Sequence, residues 1–342
     1  MVTKHRGRLR EPALALLVAL AAVVLITVNP LVARPAEAAP AGEGGTAELK
    51  AALDQASRGY VEAKSALERS QQRQTDLVAR IADVEARLTT LGASAEDIAV
   101  AAYRTGSLAS ISALMDSGSP DLFLDRVTAL NVVSLRNDRA LRELGQLRKQ
   151  LASDRTAVEQ EIGNQQRQLT EMANRKQQAE RALTAAGGGG AVAGPGGGSA
   201  TATPAPRRSD GSWPSESCSA DDPTTSGCLT PRTLHAMQQA KAAGFTHYVA
   251  CFRTGDDGEH PKGRACDFAA AAGSFGGVAT GADRTYGNNL AAYFIANADR
   301  LAVLYVIWFR QIWLPSSGWR AYSGGNGDPS SDHTNHVHLS VI

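Results

Sequence analysis

Apolar residues recur every three or four positions along two long stretches in the N-terminal half of the chain. The first stretch spans residues 48–91 and the second spans residues 141–183, and neither contains a proline. This spacing places the apolar side chains on one face of a helix and is typical of coiled coils. The pattern predicts a long antiparallel helical coiled-coil hairpin over residues 45–186.

A different pattern separates the two stretches. Ser119 is a suitable N-cap for a helix that begins at Pro120, and apolar residues follow at helical spacing. We expect a short amphipathic helix here, as a small elaboration of the hairpin tip with more apolar surface than a bare turn needs. That surface either packs locally on the long helices or docks on a partner.

Composition changes abruptly after the second stretch. Residues 187–208 are rich in Gly, Ala and Pro, which predicts a flexible linker. All four tryptophans lie beyond residue 210, so residues 209–342 are the compact domain. Its strand and helix patterns interleave irregularly, which predicts an α+β fold with a mostly antiparallel sheet. The expected strands are 246–252, 265–268, 301–309 and 337–342, and the expected helices begin at Pro231 and Asn288.

The N-terminus has the pattern of a secretory signal peptide over residues 1–38. Basic residues precede an apolar run at 13–28, and Ala36-Glu37-Ala38 supplies a small-x-small cleavage motif. An uncleaved membrane anchor is the alternative. In both cases the rest of the chain is expected outside the cytoplasm, secreted or in the cell envelope, where disulfides persist.

The four cysteines all lie in the C-terminal domain and allow three pairings. The pairing Cys218–Cys228 with Cys251–Cys266 is favoured because each bond closes a short local loop. The net charge of +1 gives no electrostatic reason to expect a nucleic-acid partner.

Four of the seven histidines fall in two short motifs of the C-terminal domain. His260 and Asp267 flank Gly263, where a turning loop can bring both side chains to one ion. His336 and His338 alternate by two, so on a strand they face the same side. The residues therefore predict a three-ligand Zn²⁺ site with an open position and a neighbouring acid–base imidazole.

These motifs resemble those of the zinc peptidase group that includes lysostaphin-type, D-Ala-D-Ala carboxypeptidase and hedgehog domains. Residues 260–267 match His-x-x-Gly-x-Ala-x-Asp, and residues 336–338 match His-x-His. The resemblance implies that His260, Asp267 and His338 are the zinc ligands and that His336 lies beside a bound water.

One position departs from the carboxypeptidase branch. That branch has a catalytic Asp or Glu three residues before the last ligand, where this chain has Asn335. The arrangement His333-x-x-His336-x-His338 is instead similar to the penicillin-insensitive murein endopeptidase branch. The resemblance then gives the role of general base to His336, with His333 or Asp332 assisting.

Residues 45–185 resemble the coiled coils of secreted peptidoglycan hydrolases in actinobacteria and other Gram-positive bacteria. The similarity is carried by Ala-Ala-Tyr-Arg-Thr-Gly at 101–106 and by the segment 114–126. It implies that the hairpin docks on a cell-division membrane complex or occludes the catalytic domain.

Together these features predict a secreted zinc metallopeptidase of the murein D,D-carboxypeptidase or endopeptidase type, which acts on peptidoglycan peptides. Asn335 keeps open an alternative, a non-catalytic cell-wall protein with a degenerate peptidase-like domain that binds the wall or activates other hydrolases.

Overall fold

The computed structural model describes residues 44–116, 118–195, 200–255 and 257–342. The predicted signal peptide, residues 1–38, lies outside the described residues. No helix in the described part of the chain is long and apolar enough to cross a membrane.

Two long helices, α1 (Ala47–Met115) and α2 (Pro120–Ala185), pack against each other as the predicted antiparallel hairpin. Ser119 caps α2 by accepting a hydrogen bond from the Leu122 amide at 3.3 Å, and Pro120 occupies the first turn, as predicted. The separate short helix predicted at the tip is instead the beginning of α2. Helical backbone geometry is interrupted inside α1 at Gly106, where φ is 58°.

Arginine–carboxylate pairs join the two helices along the hairpin. Arg73 Nε lies 2.8 Å from Glu161 Oε1, and Arg80 Nε lies 2.8 Å from Asp154 Oδ2. Near the tip the apolar side chains remain exposed: Tyr103 is 91% exposed and Met115 is 81% exposed. The tip therefore does not bury these two side chains on the long helices, and an apolar surface is left there.

The C-terminal domain is built on a six-stranded sheet in which every neighbouring pair is antiparallel, which confirms the α+β prediction. The strand order is β3-β4-β8-β5-β6-β7, and a separate two-stranded ribbon is formed by β1 and β2. The strands are β1 (Ala220–Asp221), β2 (Cys228–Leu229), β3 (Val249–Ala250), β4 (Ala265–Ala269), β5 (Val303–Trp308), β6 (Gln311–Leu314), β7 (Gly318–Ala321) and β8 (His336–Val341), and the helices are α3 (Pro231–Ala242), α4 (Gly281–Ala296) and α5 (Ala298–Leu301).

The two faces of the sheet pack against different layers. One face carries Phe268, Val306 and Trp308 and packs with residues of α3 and α4 in the main core. The opposite face carries Leu304, Ile307, Ile312 and Leu314, which form a second core with the base of the hairpin. The hairpin base contributes Leu49, Leu53, Ala56, Ala179 and Leu183 to that core. The hairpin is thus a structural layer of the domain.

The linker differs from the prediction of a flexible tether. Between α2 and residue 195 it runs beside β7, where the Gly189 amide donates to the Ala321 carbonyl at 2.9 Å. A Cβ on Gly188 would overlap that same carbonyl, and a Cβ on Gly194 would overlap the Trp319 ring. The glycines therefore permit close approach to the sheet edge, a use of glycine that composition does not distinguish from flexibility.

The later part of the linker is also packed on the domain. Ala202 and Ala205 are buried, and the Ala202 amide donates to Asn297 Oδ1 at 2.8 Å. This packing anchors the segment that follows residues 196–199 on the C-terminal domain.

Both predicted disulfides are present, Cys218–Cys228 and Cys251–Cys266. Disulfides persist in oxidising compartments, so they indicate an extracytoplasmic location for the domain.

Candidate metal centre

His260 is positioned by a short 3₁₀ helix, His260–Lys262, that ends at Gly263 in the left-handed region with φ 67°. A Cβ at Gly263 would overlap Cys218 Sγ, so glycine is required both by the backbone angle and by the adjacent disulfide. The turn sends the chain back into β4, as the spacing of the first motif predicts. The first disulfide thus supports the loop that holds His260.

Asp267 lies on β4 directly opposite His338 on β8, and His338 is in turn opposite Ile307 on β5. Directly paired residues share a face of the sheet. This register therefore places the carboxylate and the imidazole side by side, and His260 closes the group from the loop. The side chains of the three predicted ligands are completely buried, and their candidate ligand atoms all lie within 4.8 Å of one another.

The distances within this group suit a small divalent cation. His260 Nε2 is 3.3 Å from His338 Nδ1 and 3.3 Å from Asp267 Oδ2. Tetrahedral zinc, with bonds of about 2.0–2.2 Å, separates its ligand atoms by roughly 3.3–3.5 Å. The remaining distance, 2.8 Å from His338 Nδ1 to Asp267 Oδ1, is that of a direct hydrogen bond. Two imidazoles and a carboxylate are a donor set that zinc uses.

The outer atoms of the three side chains are also held. His260 Nδ1 donates to the Cys251 carbonyl oxygen, and His338 Nε2 is 2.8 Å from Ser340 Oγ. Arg253 Nη1 donates to Asp267 Oδ2 at 2.6 Å. Such outer contacts orient metal ligands and select their tautomers.

Sequence reasoning missed these three supporting residues. Ser340 could have been predicted from the sequence, because it follows His338 by two positions on a strand and so shares its face. Cys251 and Arg253 carry no local signal, because the fold alone brings them beside His260 and Asp267.

Asn335 has a defined role beside His336. The Asn335 amide nitrogen donates to the Gly276 carbonyl at 3.0 Å, which directs Oδ1 toward His336 Nδ1 at 2.7 Å. An amide oxygen only accepts, so His336 Nδ1 must carry the proton and the neutral ring has its lone pair on Nε2. That Nε2 is buried without a hydrogen-bond partner and lies 3.4 Å from Asp267 Oδ1.

The electrostatics keep His336 neutral and Asp267 charged. Burial lowers the pKa of His336 more than the Asp267 carboxylate raises it. Burial also raises the pKa of Asp267, but electrostatic interactions with His260, His336 and Arg253 hold that pKa well below its ordinary value. A neutral imidazole and an ionised carboxylate are the states that both metal binding and general-base action require.

His333 lies next to His336, with ring centroids 4.8 Å apart, and its Nε2 is buried without a hydrogen-bond partner. Burial, reinforced by the neighbouring His336 and His338, lowers the pKa of His333 well below its ordinary value. Its backbone is left-handed, with φ 53°, an angle that is uncommon for residues other than glycine. The strained turn aims the ring into the cluster.

Asp332 is placed differently from the histidines. Its Oδ2 accepts from Arg310 Nε at 2.8 Å, and its Oδ1 accepts from the Gly327 amide at 3.0 Å. These contacts shape the loop that precedes β8. Its assisting role in proton transfer stays a prediction, as does that of His333.

The family described as VldE, C-terminal domain matches residues 225–337, about one third of the chain. The matched segment includes His260, Asp267, His333 and His336 and ends one residue before His338. No curated protein matches the chain, and no solved structure matches it.

Proposed function

We propose that this chain is a secreted zinc metallopeptidase that hydrolyses peptide bonds of cell-wall peptidoglycan, with a hairpin that restrains access to its site. The observation that carries the proposal is the buried group of His260, Asp267 and His338, whose closest nitrogen and oxygen atoms are 2.8–3.3 Å apart. The unpartnered Nε2 of His336 beside that group supports a reaction rather than a purely structural ion.

Each residue of the site has a separate role in the proposed hydrolysis. When bound, zinc would supply Lewis acidity that polarises a carbonyl and lowers the pKa of water. His336 would take a proton at Nε2 and return it to the leaving amine, since Asn335 keeps the proton of the neutral ring on Nδ1. Arg253 would keep Asp267 ionised, and Ser340 would orient His338.

The substrate class depends on the resemblance of the two motifs to cell-wall peptidases and of the hairpin to coiled coils of wall hydrolases. The two disulfides support it, because an extracytoplasmic domain can reach the wall.

The restraint is supported by where α1 begins. Just before α1, the Gly45 amide donates to the Gly324 carbonyl, and the Gly44 carbonyl accepts from the Tyr322 hydroxyl at 2.9 Å. The ring of Tyr322 lies 6.2 Å from the ring of His333. Lys50 forms an ion pair with Asp257, just before His260. The hairpin base therefore lies against both loops of the site, and we propose that substrate enters when it shifts. Docking of the exposed apolar tip on a cell-division membrane complex is the trigger we propose.

The test is zinc analysis of the full chain together with digestion of muropeptides. We expect stoichiometric zinc, with both zinc and cleavage lost in His338→Ala. His235→Ala is the matched control: His235 lies outside the site, where its Nε2 contacts the Thr203 carbonyl oxygen, and this variant should keep both properties. A chain that binds zinc but digests nothing, even with the hairpin loosened, would favour the non-catalytic wall protein. A chain that neither binds zinc nor cleaves would overturn the enzyme.

A further inference from the structure

A second feature lies away from the histidines, at the junction of α1, the segment 208–216 and the C-terminal domain. It is a cavity of about 380 Å³ with arginines from all three parts in its lining. Five arginines face it, while Glu62 and Glu216 are its acidic residues. The arginines are Arg58, Arg69, Arg208, Arg232 and Arg264.

The arginines are unequally compensated. Arg58 pairs with Asp54 at 2.8 Å, and both Arg58 and Arg264 face Glu259 at 3.9 Å. By contrast, Arg69 and Arg208 form no ion pair within the described residues. The pKa of Asp210 is lowered mainly by its hydrogen bonds with Ser212. The nearby guanidinium groups of Arg69 and Arg208 lower this pKa further. Arg232 pairs with Glu216 at 3.4 Å, so Arg69 and Arg208 are the two lining arginines without an ion pair in the described chain.

Two buried donors in the same lining have no acceptor. Arg232 is only 3% exposed; its Nη1 donates to the Ile342 carbonyl at 2.5 Å and its Nη2 to the Pro214 carbonyl at 2.9 Å, but its Nε has no partner. The indole Nε1 of Trp213 is also buried without a partner. A buried N–H without an acceptor is costly and marks a place where a ligand acceptor is favoured.

We infer that this cavity binds an oxyanion, a carboxylate or phosphate group of an extracellular ligand. Arginine forks suit both groups because they donate parallel charge-assisted hydrogen bonds. The ligand would balance the charge of Arg69 and Arg208, and it would accept from Trp213 Nε1 and Arg232 Nε once the packing that closes off these two atoms has shifted.

The anion would also link the two parts of the molecule. Arg69 belongs to α1, whereas Arg232 belongs to the C-terminal domain, so a ligand that holds both favours the docked hairpin. This inference does not depend on peptidase activity, because its groups are separate from the proposed zinc ligands.

The experiment is calorimetric titration of the full chain with inorganic phosphate and, separately, with acetate, both at fixed ionic strength. We expect saturable binding of at least one anion, and the preferred anion identifies a phosphorylated or a carboxylated source. Arg208→Gln should weaken binding about tenfold or more, because it removes a charge-assisted donor. Trp213→Phe keeps an aromatic ring but removes the indole N–H, and should weaken binding even if the arginine variant loses stability.

Arg148→Gln is the matched control, since Arg148 is exposed on α2 away from the cavity. It should bind as the unchanged chain does. The inference is overturned if neither anion binds saturably, if both cavity variants bind at full strength, or if the control weakens binding equally.

Discussion

At the scale of single residues, the sequence and the structure indicate different roles for Asn335. From sequence it stands where a related enzyme branch has a catalytic carboxylate, and so it counts against turnover. In the structure its amide oxygen lies 2.7 Å from His336 Nδ1 and leaves the imidazole lone pair on Nε2, 3.4 Å from Asp267 Oδ1. Asn335 is therefore a positioning residue for His336.

We expect Asn335→Ala to reduce peptide cleavage by roughly 10- to 100-fold, because His336 loses the acceptor that selects its tautomer. Zinc content should stay unchanged, since the ligands are untouched. Asn335→Asp keeps an acceptor at the same place and should recover much of the loss. Paired measurements of kcat and bound zinc check this, and wild-type kcat in Asn335→Ala would contradict the positioning role.

At the scale of elements, α1 and α2 are joined by few buried apolar residues over most of their length, so polar pairs contribute to their register. Glu161 accepts from Arg73 and from Ser70 Oγ at 2.6 Å. These hydrogen bonds lower the pKa of Glu161 to about 2. Arg73 is half exposed, so solvent screens the pair and limits its contribution to about 1 kcal/mol or less.

The lowered pKa of Glu161 determines how its contribution to folding stability depends on pH. The contribution of Glu161 is present above its unfolded value, 4.5, and is lost as pH falls toward about 2. Glu161→Gln should therefore lower Tm at neutral pH but converge with the unchanged chain in acid. Thermal melts across this range check it. Glu159→Gln is the control, because Glu159 is exposed two residues away and forms no ion pair in the described chain. A constant Tm difference for Glu161→Gln would contradict the assignment.

At the scale of the whole molecule, the hairpin base covers the sheet face that carries Asp267 and His338. Its leucines complete the core around Leu304, Ile312 and Leu314. Removing the hairpin would expose this core and confound any test of restraint by deletion. Charge reversal at the contact is the sharper experiment.

We expect Lys50→Glu to raise muropeptide cleavage, because it opposes Asp257 with a like charge beside the His260 loop. Loosening by about 1.4 kcal/mol would increase the open population about tenfold. Faster hydrogen exchange of the 257–260 loop should accompany it. Lys64→Glu, which breaks the pair with Asp299, is the control at the same interface and should leave that loop unchanged. Faster exchange without faster cleavage would argue against restraint.

Local patterns determined much of the fold and named the candidate residues of the site. Helical periodicity, the Ser119 cap and strand alternation depend on near neighbours, and they predicted the hairpin and the α+β domain. The spacing of His260, Gly263 and Asp267 likewise predicted a loop that turns into a strand.

Only the tertiary structure decided the features that join distant residues. The register of β4 and β8 sets Asp267 against His338, and the fold brings Cys251 and Arg253 to the same group. Composition could not show that the glycine-rich linker packs on β7, because flexibility and close approach require the same residue. Nor could periodicity show which surface the hairpin base covers, since an apolar stripe records that a helix is buried but not against what.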